Sequence, residues 1–338
     1  MTEIMKAVRL HAFGGPENLL YEDAPRPFVG SDDVLVKVYA ASLNPPDWYL
    51  RDGYRTLPPE WWPDPAFPLI PGTDVSGVVA AVGQNVAGFS VGDAVYSMVR
   101  FPERVMQGSG ACADYVSVPS CELALKPQGI DHVQAAGAPM SLLTAWQFLI
   151  GPGHNAANPF QSFPHTAVPL KGRTVLINGA GGGVGHLAVQ IARWQGARVI
   201  AVASSRNEAL LYELGADEFI DYTKTAAEQV VNNVDLVLDA VGGAHMARFL
   251  SCIRQGGALF LVNPLGFNGW DEAARKGITV SSTQVRSSGA QLAEAGRLLD
   301  TGTVRVVIDS TWPLAMASAA HQRAAMGSIQ GKIVLTNN

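Results

Sequence analysis

A chain of 338 residues is too long for one ordinary hydrophobic core and suits two domains. With 48% hydrophobic and 16% charged residues it reads as a soluble globular protein rather than a disordered one. A net charge of -5 without any basic run argues against a nucleic-acid partner, and the apolar runs break well before the ~18 residues of a membrane span.

The first residues, MTEIMKAVRLHAF, alternate like a strand and lack the apolar core of a signal peptide. Residues 1–125 read as β-rich. DVLVKVYAAS, TDVSGVVAAVG and DAVYSMV alternate, with Gly, Pro and Asp in the gaps, which predicts a small barrel or sandwich. From Asp131 the spacing turns helical in DHVQAAGAPMSLLTAWQFLI. A long Pro/Asn/Gly-rich stretch, GPGHNAANPFQSFPHTAVPLKG, has no periodicity and reads as a functional or mobile loop.

From Arg173 the rhythm is strand, helix, strand. TVLINGA, RVIAVAS, EFIDY, DLVLDAVG, GALFLVN and ITVSSTQVR are short apolar strands; VGHLAVQIARWQ and NEALLYELG are helices between them. Short buried strands separated by helices imply an α/β fold with a doubly wound parallel sheet. AQLAEAGRLLDTG is a further helix, and RVVIDSTW and GKIVLTN return to strand, as a tail that packs back on the first domain would. The three cysteines, Cys112, Cys121 and Cys252, include no CxxC pair, which argues against a disulfide framework and a four-cysteine zinc lobe and points to the cytoplasm.

The turn between TVLIN and its helix reads A-x-G-x-x-G, with Ala180, Gly182 and Gly185 in the three small positions and Gly183 and Val184 between. Gly182 lets backbone N–H groups approach a pyrophosphate, Gly185 lets the helix pack on its strand, and the helix N-terminus adds positive potential. The strand before and the helix and strand after supply the context that a dinucleotide site requires. An NAD site holds Asp or Glu at the end of the second strand, ~20 residues on. Here that point is Ala203-Ser204-Ser205-Arg206, with no carboxylate. Ser204, Ser205 and Arg206 suit a 2′-phosphate through charge-assisted hydrogen bonds, so the expected cofactor is NADPH. The alternative for Arg206 is a solvated surface charge.

PGTDVSGVV, VGDAVYS, NGAGGGVGHLAVQIA, ELGADEFIDY and GKIVL together resemble the medium-chain dehydrogenase/reductase superfamily. SLNPPDWYLRDGY and NGAGGGVG are most similar to its zinc-free quinone oxidoreductase and enoyl-reductase branch. The resemblance implies a GroES-like β-rich catalytic domain over 1–125, rejoined by 290–338, and a Rossmann NADP(H)-binding domain over 126–289. It also implies an active cleft between the domains and homodimerisation through Rossmann edges. Zinc-dependent relatives carry Cys in the segment matching LNPPD and His in the segment matching Gly72-Thr73-Asp74. Here stand Asn44, Pro45, Pro46 and Thr73, and no Cys or His lies between His11 and Cys112. A catalytic zinc takes three protein ligands, which Asp47 and Asp74 cannot complete, so no metal is expected. His154 and His165 read as exposed loop histidines.

Without zinc, hydride addition favours an acceptor that delocalises the resulting charge, a quinone or an α,β-unsaturated carbonyl. The resemblance puts Asn44 and Tyr49 near nicotinamide and substrate and makes them the candidate catalytic pair. Tyr49 is either a proton donor or a buried tyrosine with a satisfied hydroxyl. Asn44 is either a cofactor contact or a turn residue, and Asp47 reads as a helix N-cap. By the same resemblance Thr144 approaches the nicotinamide ribose or carboxamide and Tyr222 the adenosine phosphate; Asn263, following the fifth strand, is placed to line the nicotinamide edge. The family lysine of the phosphate site aligns with Asn207. Val241 and Gly242 end a strand where open parallel sheets bind ligands. Tyr54, Trp61, Trp62 and Phe67 either line a pocket for a flat apolar substrate or cover the barrel. Two other readings stay open: an NADPH-binding structural or sensory protein without turnover, and a zinc alcohol dehydrogenase with unusual ligands.

Overall fold

The computed structural model describes residues 3–57, 59, 62, 65–101, 109–159 and 161–337. The chain forms two compact units: Met1–Leu143 with Arg286–Gly302 and Val306–Asn338, and Thr144–Val285 with Thr303–Arg305. Residues 126–143, which the sequence reading attached to the second domain, cluster with the first unit.

The first unit opens with a hairpin of β1 (Ile4–Leu10) and β2 (Leu19–Pro25). Strand β3 (Asp33–Ser42) follows, then helix α1 (Pro45–Arg51), β4 (Asp74–Val82), β5 (Ala94–Met98), β6 (Tyr115–Pro119) and β7 (Leu123–Leu125). Helix α2 (His132–Gly137) starts at Asp131, whose carboxylate accepts the Gln134 N–H in a capping box. Helix α3 (Pro139–Leu149) divides between the units at Leu143 and Thr144.

The second unit carries β8 (Thr174–Asn178), α4 (Gly183–Trp194), β9 (Arg198–Ala203), α5 (Glu208–Glu213), β10 (Glu218–Asp221) and α6 (Ala227–Val230). It continues with β11 (Val234–Asp239), β12 (Ile253–Leu261), α7 (Trp270–Arg275) and β13 (Thr279–Ser281). ITVSSTQVR, read as a short strand, is regular strand over Thr279–Ser281 only. The tail is α8 (Gly289–Asp300), β14 (Ile308–Pro313), α9 (Ala317–Ala325) and β15 (Lys332–Thr336), and it belongs to the first unit apart from Thr303–Arg305.

In the first unit the sheet order is β14-β15-β3-β4-β5-β7, with β6 also pairing β3. Val334 of β15 pairs with Ser42 of β3, which brings the C-terminal strand beside the start of α1. The core holds the inward residues of these strands, Val34, Val36, Val75, Val95, Val116 and Leu335 among them. Each such side chain contributes roughly 1.5–3 kcal/mol on burial.

In the second unit six parallel strands run in the order β10-β9-β8-β11-β12-β13. β8 and β11 are buried along most of their length, as strands covered on both faces must be. The chain winds outward from β8 to β9 and β10, then returns to β11 on the other side. The switch point between β8 and β11 opens a crevice at their C-terminal ends, where open parallel sheets bind ligands.

Candidate functional site

The turn after β8 is built for close approach. Gly179 has a φ of +75°, and Gly182 is the N-cap of α4. Gly182 N–H donates to Gly179 O at 3.0 Å and Gly182 O accepts from His186 N at 3.1 Å. The N–H groups of Gly183, Val184 and Gly185 therefore precede the first bond of the helix and point out of its N-terminus. A Cβ on Gly185 would lie 2.1 Å from Gly179 O, so only glycine lets the helix sit on its strand there. A Cβ on Gly182 would meet nothing closer than Gly179 O at 3.4 Å. The space over Gly182 is open, and three donors and the helix dipole face it. Ala180 is buried beneath. These residues fit a dinucleotide pyrophosphate.

At the end of β9, Ser204 is half-buried and Ser205 and Arg206 are exposed. Asn207 turns inward. Its Nδ2 donates to Ser204 Oγ at 3.1 Å, and its amide lies against Gly181, where a Cβ would come within 2.5 Å of it. The residue aligned with the family lysine thus braces the turn, while the cation next to it stands on the surface. Tyr222 is 58% exposed and its N–H bonds to Ala203 O at 3.2 Å, beside the same loop. Val241 is exposed and Asn263 half-buried beyond β11 and β12. Thr144 is buried within α3.

Sequence reasoning missed two residues at the crevice. Asn178 ends β8 and Asp239 ends β11; they pair in register, and Asn178 Nδ2 donates to Asp239 Oδ1 at 2.8 Å. Their position as the last polar residues of two adjacent apolar strands is a signal that the sequence carries.

The first unit gathers the segments around Asn44 and Asp74. Asp47 accepts the Asn44 N–H at 2.7 Å and the Gly72 N–H at 3.1 Å, so it is the third residue of α1 and Asn44 is the cap. Asn44 Nδ2 donates to Asp74 Oδ2 at 2.8 Å and to Thr73 Oγ1 at 3.3 Å. Lys332 Nζ donates to Leu43 O at 3.0 Å and to Asn44 Oδ1, and lies 3.8 Å from Asp74 Oδ2. Ser42 Oγ and Met140 N also donate to Asp74. Asn44, Asp47, Asp74 and Lys332 are all buried. Burial raises the Asp47 carboxyl to about 7 and raises that of Asp74, while it lowers the Lys332 ammonium. The Asn44 amide is fully engaged by protein groups.

Tyr49 is half-buried, 6.2 Å from the Tyr54 ring, and its hydroxyl has no protein partner among the described residues. Burial raises its pKa, so it is a neutral phenol at pH 7. Tyr54 packs against the core with a φ of +52°, and Trp62 donates its indole N–H to Leu57 O. Phe67 stacks edge-on to Phe13 at 5.0 Å. Trp61 lies outside the described residues.

The reading of His154 and His165 as exposed is corrected. His154 is half-buried and His165 is 3% exposed. His165 Nδ1 bonds Ser281 Oγ at 2.8 Å, Nε2 bonds Phe148 O at 2.9 Å, and the ring packs on Phe260. The long loop is thereby anchored to β13, with Gln161 accepting the Ser282 N–H. An aperiodic segment gave no sign of this.

A glycine-rich strand-to-helix turn at the switch point of a doubly wound sheet, in a chain with a second β-rich unit, is the plan of a dinucleotide-binding protein. Residues 30–128 match the alcohol dehydrogenase GroES-like domain and residues 214–335 match the zinc-binding dehydrogenase family. The chain is 32% identical to the chloroplastic NADPH-dependent alkenal/one oxidoreductase of Arabidopsis thaliana, over 98% of this chain and 79% of that one. It is 29% identical to the quinone oxidoreductase of Homo sapiens, over 98% of both chains. The quinone oxidoreductase of Coxiella burnetii superposes with a TM-score of 0.84 at 29% identity, covering 99% of this chain and all of that one. The chain belongs to the medium-chain dehydrogenase/reductase superfamily, with its GroES-like unit and its Rossmann unit.

The zinc named in that family description does not fit these residues. The segments aligned with the zinc ligands present Asn44, Asp47, Thr73 and Asp74 around a lysine ammonium, and the one cysteine near them, Cys112, is a buried thiol whose pKa burial and the Asp47 charge push well up. Among the described residues no three His, Cys, Asp or Glu side chains cluster as a metal site requires. No helix among them is long and apolar enough to cross a membrane.

Proposed function

We propose that this protein is a zinc-independent, NADPH-dependent reductase of quinones or α,β-unsaturated carbonyl compounds. The observation that carries the reading is the turn from β8 into α4, where three helix-terminal N–H groups face the open space over Gly182. Ser204, Ser205 and Arg206, where an acid would repel phosphate, take the 2′-phosphate, with Tyr222 beside them. Reduced nicotinamide, when bound, supplies a hydride. Thr144, Val241 and Asn263 serve its nicotinamide half.

The conjugated acceptor follows from the chemistry left to the protein. A hydride added to a conjugated carbon or to a quinone leaves an anion spread over several atoms, which hydrogen-bond donors can hold. Tyr49 is assigned the proton: its hydroxyl has no protein partner among the described residues, and burial keeps it protonated at neutral pH. Asn44, saturated by Asp74, Thr73 and Lys332, acts by holding the start of α1. Tyr54, Trp62 and Trp61 are assigned to the substrate side. The relatives that act as quinone and alkenal/one oxidoreductases support this substrate class. The same reading takes the protein as a cytoplasmic homodimer.

The test is oxidation of NADPH, followed at the nicotinamide absorbance band, with a panel of quinones and enones and with a zinc chelator present. Consumption with at least one acceptor, unaffected by chelator, is expected. No absorbance change with any acceptor would overturn the reading, and binding without turnover would leave a sensory or structural protein in its place.

A further inference from the structure

Two loops leave the crevice of the second unit, one after β8 and one after β11, and a single carboxylate oxygen ties them together. Asp239 Oδ1 accepts from Asn178 Nδ2 at 2.8 Å, from Val241 N at 3.0 Å and from Gly242 N at 3.3 Å. Asn178 is 5% and Asp239 1% exposed, and Asp239 Oδ2 is buried without a partner among the described residues. A carboxylate so placed costs desolvation, and the acceptor it provides must recover that cost. What it fixes is the backbone of Val241 and Gly242.

The contacts around that backbone are close. A Cβ on Gly179, in the cofactor turn, would lie 2.7 Å from Val241 Cγ2. A Cβ on Gly242, whose φ is +77°, would lie 3.1 Å from Asn263 O, beyond β12. Gly243, with a φ of +93°, has nothing within 4 Å of its Cβ position. The segment is thus wedged between the β8 turn and Asn263, and its chain is permissive immediately beyond. Ser204 to Arg206 lie at the end of β9, on the opposite side of β8. A dinucleotide whose adenosine phosphate rests there and whose pyrophosphate rests on α4 must extend its other half toward β11 and β12.

We infer that Asn178 and Asp239 form a positioning latch for the nicotinamide half of the cofactor, acting through the Val241–Gly242 backbone and independently of the adenosine-phosphate seat. The inference rests on the proposed NADPH function. Neither side chain takes part in the hydride step. The latch works by its acceptor, not by its charge, since all three donors converge on one oxygen.

The experiment is calorimetric titration with two ligands, NADPH and adenosine 2′,5′-bisphosphate, which keeps the adenosine half and lacks nicotinamide. Asp239→Ala should raise the dissociation constant for NADPH by about tenfold or more, the effect of stranding one buried and two part-buried donors. It should leave that for the bisphosphate within about twofold of wild type, because the end of β9 is untouched. Asp239→Asn keeps an oxygen for the same donors and should restore NADPH binding toward wild type. If Asp239→Ala does not fold, Asn178→Ala, which removes one donor and leaves both backbone bonds, should show the same selectivity at smaller size. Unchanged NADPH binding in Asp239→Ala, or equal weakening for both ligands, would overturn the latch. Wild-type protein that binds neither ligand would remove the cofactor reading itself, a result separate from loss of the latch alone.

Discussion

His321, on α9, shows how one buried side chain makes stability depend on pH. Arg51 Nη1 lies 3.2 Å from its Nδ1 and donates there, so the neutral ring carries its proton on Nε2. The ring is 1% exposed, and burial, with the Arg51 charge second, pushes its pKa down to about 3. In the unfolded chain the imidazole titrates near 6.5, so the unfolded state gains a proton first as pH falls. The contribution is complete above about pH 6.5 and is lost toward pH 3, on the order of 5 kcal/mol over the window. Denaturant unfolding between pH 7 and 4 should show stability falling with acid in wild type and a shallower fall in His321→Gln. Equal slopes would contradict the assignment. Nothing in AAHQRAA announces this role, because the partner is Arg51, 270 residues earlier. Asn44 is similar: read from the sequence as either a cofactor contact or a turn residue, it is held by Lys332, 288 residues later. Local pattern identifies residue type and turn chemistry, and is silent about such distant partners.

Among the elements, the β8–α4 turn is the one where sequence and geometry agree most fully, because each glycine has a separate physical reason. Gly185 has no room for a Cβ, since Gly179 O would be 2.1 Å away; Gly182 has room, at 3.4 Å, and an ordinary φ of -85°. Gly185→Ala should therefore lower the melting temperature by several degrees, in line with a destabilisation of about 1–3 kcal/mol from overpacking. Gly182→Ala should melt close to wild type and bind NADPH at least about tenfold more weakly, because its methyl occupies the space meant for pyrophosphate. Thermal melts and NADPH titration of the two variants check this; weakened binding by neither would show that the turn only packs. The loop of residues 151–170 was the least legible element. It has no periodicity, and its order comes from His165, Asn158 and Gln161 side chains meeting Ser281 and Ser282 more than a hundred residues away.

For the whole molecule, the strand-helix rhythm after Arg173 was enough to indicate a parallel sheet, and the structure supplies the order that a rhythm cannot, with the switch between β8 and β11. The return of the tail to the first unit was readable from the strand character of GKIVLTN, and its register against β3 was not. On the proposed function, the molecule grips a 2′-phosphorylated nicotinamide dinucleotide on a cradle of backbone N–H groups, with a serine pair and Arg206 where NAD sites carry an acid. Direct titration of the purified protein with NADPH and with NADH tests it. Saturable binding of both is expected, with NADPH the tighter by about tenfold or more, the worth of charge-assisted bonds to one phosphate. Tighter binding of NADH, or no binding of either, would contradict it.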